Sequence, residues 1–166
     1  MNVIKRNNPC NIRTSVRFTW RGELPGVVAP DYAQFDTPEN GYRAALLNMN
    51  TYITKHKANT INKIIKRWDP KKDSADDITP DEYVKKVSDE TGIAPDTVIT
   101  AGDYDTMGKI ALAMTHVEHK ELPADSVLQA AIEKAKGTVT GIISVVKKHP
   151  VATVVILLLF FYLVKN

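Results

Sequence analysis

Residues 151–164, "VATVVILLLFFYLV", are fourteen consecutive positions without a charge, bracketed by Lys147 and Lys148 on one side and Lys165 on the other. As a helix the run measures about 21 Å at roughly 1.5 Å per residue. A bilayer core is about 30 Å thick, so length alone leaves a buried core helix open as a second reading. The run is apolar on every face, however, and a helix of that kind has no side to show to water. The flanking lysines suit snorkelling to an interface, and Tyr162 sits where an interfacial aromatic would. The pattern predicts a C-terminal transmembrane helix over 150–166. "MNVIKRNNP" has no apolar core, so no signal peptide is expected, and insertion would follow synthesis through the tail.

Ahead of that run, composition is that of an ordinary globular protein. The chain has 166 residues, is 43% hydrophobic and 25% charged, and carries a net charge of +3. Such a balance gives no basic stripe for nucleic acid but tolerates anionic surfaces such as cell wall or lipid headgroups. Cys10 is the single cysteine. It excludes an internal disulfide and a multi-cysteine zinc cage, and it reads as a small turn residue rather than a nucleophile.

The order of elements is β then α. "IRTSVRFTW" and "GVVAPDYAQF" are short β-branched and aromatic segments separated by "RGELPG", and they predict a small hairpin. Asp36-Thr37-Pro38-Glu39 carries a helix start, with a helix to about Thr54 that buries Tyr42, Ala45, Leu46, Met49 and Ile53. "TINKIIKRW" is a short second helix ending before Asp69-Pro70, and "PKKDSADDITPD" reads as a loop. Thr79-Pro80-Asp81-Glu82 matches a capping box and opens a helix that stops at Gly92. Another helix is expected from about Asp105 to Glu118, and a last one from Pro123-Ala124-Asp125 to Gly137. The expected division is a soluble domain over 1–136, a linker over 137–149 and the anchor over 150–166.

In "DTMGKIALAMTHVEHKEL", Met107, Ile110, Ala111, Met114 and Glu118 recur at helical steps and share one face. A carboxylate at the C-terminal end of an apolar stripe is disfavoured in its ionised form by burial and by the helix dipole. A carboxyl kept protonated is what a general acid needs to protonate a glycosidic oxygen. A surface Glu that merely ends the helix fits the same pattern. His116 and His119 are spaced three apart, but "HVEH" is not the His-Glu-x-x-His of zinc proteases, and no metal or cofactor is expected. In "RNNPCNIR" Pro9 fixes a turn, and Asn7, Asn8 and Asn11 offer amides suited either to sugar hydroxyls or to the turn backbone itself. Arg13 adds a guanidinium, and Trp20 offers a flat face on which a pyranose packs.

"RNNPCNIR", "FTWRGEL", "FDTPENGYRAALLNMNTYI", "TINKIIKRWDP", "YVKKVSDETG" and "ALAMTHVEHKELP" resemble, in order, a phage and prophage virion-protein family that opens on Arg-Asn-Asn-Pro-Gly-Asn-Ile-Arg. The resemblance covers about residues 5–135. It implies virion structural proteins and peptidoglycan-degrading enzymes of lysozyme-like fold. "NPCNIR", "TWRG" and "FDTPENG" are also similar to motifs of flagellar-type glucosaminidases, whose catalytic Glu lies upstream. With Glu118 downstream, the match implies a circularly permuted lysozyme-like domain. Two departures stand out. Cys10 replaces a Gly, and Glu118-His119-Lys120-Glu121 replaces Glu-Asn-Gly-Gly.

The sequence therefore predicts an α+β, mainly α protein: a lysozyme-like domain with a small N-terminal β-hairpin, followed by a transmembrane helix. The expected function is a virion-associated, membrane-anchored enzyme that cleaves peptidoglycan glycan strands during phage entry. Glu118 would be the acid, and Asn7, Asn8, Asn11, Arg13 and Trp20 would bind the glycan. Asp36 and Glu39 are candidates for a second carboxylate, although both have a helix-start explanation. Expected partners are glycan strands, a viral membrane and other virion proteins, with no nucleic acid. The alternative is an inactive structural protein joining the viral membrane to capsid or vertex. A cellular tail-anchored adaptor is a third reading.

Overall fold

The computed structural model describes residues 6–15, 18–25, 32–69, 78–120 and 122–148, the last ten of these by backbone alone. Within them five helices follow one another: α1 (Pro38–His56), α2 (Ile61–Trp68), α3 (Pro80–Thr91), α4 (Tyr104–His119) and α5 (Asp125–Lys148). Each start has a local cause. Thr37 and Thr60 cap α1 and α2 by accepting the backbone N–H groups of Asn40 and Lys63. Thr79 and Glu82 form a reciprocal capping box at α3, which Gly92 ends in the left-handed conformation. Asp103 accepts the Thr106 N–H at the start of α4. Side-chain oxygens thus occupy donors that a helix leaves without intrahelical partners.

Helix α4 is the central element, packed against α1, α3 and α5. Its stripe of Met107, Ile110, Ala111 and Met114 is buried. The α1 face supplies Tyr42, Ala45, Leu46, Met49 and Ile53, all buried as helical spacing predicts. Helix α2 packs on α3 and contributes Ile61, Ile64 and Ile65. Ala131, Ile132 and Ala135 of α5 complete the core.

The expected α+β lysozyme-like architecture is corrected by this arrangement. Among the described residues there is no hairpin, only two isolated antiparallel bridges, Arg13 with Tyr32 and Glu23 with Phe35. Single backbone bonds join Ala33 to Ile12, Phe35 to Arg6 and Leu24 to Gln34, and side chains share the neighbouring backbone groups: Asn8 holds Ile12 and Ala33, Asn7 holds Phe35 and Asp36, and Glu23 accepts the Trp20 N–H. Asn side chains compete with regular structure in this way. Among the described residues no helix is long and apolar enough to cross a membrane. The segment 150–166, where the transmembrane helix was expected, lies outside them. Helix α5 also does not stop at Gly137 but runs to Lys148. A lone glycine costs a helix only about 1 kcal/mol relative to Ala, too little to end one packed along α1.

Candidate functional site

The turn over residues 6–13 lies against the start of α1 and the C-terminal half of α4. Asn7 and Asn11 both have φ of 52°, a left-handed conformation that asparagine tolerates better than most residues. Asn8 is fully buried, and its amide is used up by backbone. Its Oδ1 accepts from the Ile12 N–H at 2.8 Å, and its Nδ2 donates to the carbonyls of Ile12 and Ala33 at 2.9 Å each. Asn7 Nδ2 donates to the carbonyls of Phe35 and Asp36 at 3.0 and 3.1 Å. Helix α1 approaches so closely that a Cβ on Gly41 would stand 1.9 Å from the Asn7 carbonyl oxygen.

Asn11 behaves differently. Its Nδ2 donates to Glu118 Oε2 at 2.7 Å across 107 positions of sequence. Glu118 is half-buried near the end of α4. Its negative charge bears on two acids deeper inside. Burial is the main cause that pushes the Tyr83 hydroxyl well above the usual tyrosine range, with Glu118 adding to it. Burial likewise pushes the Cys10 thiol up to about 12, the Thr115 contact pulling it down and Glu118 pushing it up. Cys10 Sγ lies 3.5 Å from the Ala111 carbonyl and 3.8 Å from Thr115 Oγ1. Thr115 Oγ1 also receives the Tyr42 hydroxyl at 2.9 Å and donates to the Ala111 carbonyl at 2.8 Å. Trp68 Nε1 at the end of α2 donates to the Cys10 carbonyl at 2.9 Å. Side chains of α2 and α4 therefore meet Cys10 and Asn11, and Tyr42 of α1 reaches them through Thr115.

The remaining sequence-predicted residues lie apart from this cluster or inside the protein. Arg13 is exposed and its guanidinium stands over the Tyr32 ring, 5.4 Å from the centroid. Trp20 is buried and packs edge to face with Phe18 at 5.0 Å. Asp36 accepts Asn40 Nδ2 at 2.7 Å and lines a different hollow, with Arg21 and Arg43. Glu39 stands in the first turn of α1. His116 is exposed, its Nδ1 2.9 Å from Glu90 Oε1, and His119 is half-buried. Among the described residues no three His, Cys, Asp or Glu side chains are placed to hold a metal. A cavity of about 200 Å³ opens beside the turn, walled by Asn7, Pro9, Tyr42, Thr115 and Val127 among others; Glu118 is not in its wall.

Sequence reasoning missed Tyr83, Trp68 and Thr115 as neighbours of the motif, because all three reach it through tertiary packing. It also missed Arg43, which is buried. A signal existed for Arg43, since it precedes buried Leu46 and Leu47 by three and four positions and so shares their side of α1.

No protein-family profile matches the chain. Over 92 residues it is 32% identical to protein P5 of Pseudoalteromonas phage PM2, a match taking in 54% of this chain and 55% of that protein. The chain thus spans about half the length of the curated relative it matches. The similarity is to a bacteriophage protein.

Proposed function

We propose that this chain is a structural protein of a phage virion, whose helical domain contacts other virion components while its apolar terminal run associates with viral lipid. One observation carries the structural side of this reading. Of the five residues that looked fit for sugar, all but the exposed Arg13 are occupied in bracing the fold or lie inside it. Asn7 and Asn8 hold backbone, Trp20 is interior, and Asn11 is tied to Glu118. Similarity to a phage protein supports the virion setting, and the uncharged run over 151–164 supports lipid association.

Glycan cleavage by Glu118 is retained as a second reading on a single observation: Asn11 and Glu118 meet despite their separation in sequence. A general acid needs a substrate within hydrogen-bond reach, and Asn11 now occupies one carboxylate oxygen.

The test is fractionation of gradient-purified virions. The chain is expected to band with intact particles and to follow the lipid when they are opened with mild detergent. Absence from washed particles would refute the structural role.

A further inference from the structure

On the side of α1 that faces α5, a hollow of about 400 Å³ is lined by Arg21, Asp36, Asn40, Arg43, Lys134 and Thr138 among others. Arg43 is only 4% exposed, and its guanidinium donates to Thr138 Oγ1 at 3.1 Å, its one hydrogen-bond partner among the described residues. Among the described residues no carboxylate pairs with it. Burial lowers its pKa and the positive charge of Arg21 lowers it further, against a smaller opposing effect of the Tyr104 hydroxyl. Three cationic side chains therefore border one hollow. Asp36 supplies the only carboxylate among the described residues lining it, and accepts an amide from Asn40. A buried guanidinium without an anionic partner is costly to the fold, and its forked donors match an oxyanion.

We infer that this hollow is an anion site in which Arg43, Arg21 and Lys134 together bind a phosphate group. Arg43 would offer the guanidinium donors that Thr138 leaves over, and the exposed Arg21 and Lys134 would close on the phosphate from the rim. Inorganic phosphate and the phosphodiester of a lipid headgroup share this chemistry. The site is separate from the Asn11–Glu118 pair and does not depend on the virion role.

The experiment is calorimetric titration of the full chain, in uncharged detergent, with inorganic phosphate and with glycerophosphoglycerol, a deacylated headgroup. Saturable binding is expected, weakened about tenfold or more by Arg21→Ala combined with Lys134→Ala, two exposed positions whose loss spares the core. Lys57→Ala with Lys63→Ala, in the basic cleft beside α2, should leave it unchanged. Tighter binding of inorganic phosphate would identify the free ion as the ligand, and tighter binding of the diester would identify a headgroup. No saturable binding of either, or binding that survives the Arg21 and Lys134 changes, would overturn the site.

Discussion

Asn11 donates its side-chain amide to Glu118 Oε2 at 2.7 Å, joining the first turn of the described chain to the end of its central helix. The contact makes this turn a brace. With Cys10 packed against Ala111 and Thr115, and Trp68 bound to the Cys10 carbonyl, the turn holds α2 and α4 at once.

Removing that amide should weaken the fold. Asn11→Gly keeps the left-handed backbone and loses the bond to Glu118, at a cost of about 1 to 2 kcal/mol, modest because Glu118 is half in water. Asn11→Ala loses the bond and also strains a residue at φ 52°, so it should cost more than the glycine variant. Urea melts of the two variants check the order.

Gly41→Ala should be among the most damaging small changes. Helix propensity favours Ala by about 1 kcal/mol, but the new Cβ would meet the Asn7 carbonyl oxygen at 1.9 Å. Backbone cannot yield as a flexible side chain does, so a net loss of about 3 kcal/mol is expected. A denaturation midpoint equal to that of the unsubstituted chain would contradict the close packing of turn and helix.

The same turn shows what the sequence does and does not reveal. Helix starts were legible because capping is local: Thr79 and Glu82 lie three residues apart and satisfy each other. The α4 stripe was legible because burial follows the helical period. The β-hairpin was misread because β-branched composition resembles a strand, and nothing local shows that Asn7 and Asn8 will share the backbone carbonyls and leave only isolated bridges. Nor does an amide's sequence context say whether it will face a sugar or a carbonyl. The end of α5 was misread because Gly137 looks like a stop, while the packing that carries the helix past it is tertiary. The sequence assigns Glu118 and Asn11 separate roles as acid and glycan binder, whereas the structure joins them by a direct bond.

Alkali should unfold the protein earlier than its composition suggests. The folded state keeps Cys10 and Tyr104 protonated to about 12, against ordinary values of 9.0 and 10.0. Both folded values are raised, so the stability these groups contribute is complete below pH 9 and is lost as pH climbs from about 9 to 12. Melting temperature should hold steady up to pH 9 and then fall. A disulfide reagent at pH 8 should leave Cys10 unmodified in the native chain and label it only once urea unfolds the protein.

The central claim is that Glu118 and the opening Asn turn brace a structural protein rather than cut glycan, and a peptidoglycan zymogram paired with thermal melts tests it most directly. The full chain and its Glu118→Gln variant are compared on the same substrate. The structural account predicts no clearing by either protein, together with a lowered melting temperature for Asn11→Gly. Clearing by the unsubstituted chain that falls about 10² to 10⁴-fold in Glu118→Gln at unchanged melting temperature would contradict it and establish Glu118 as a general acid.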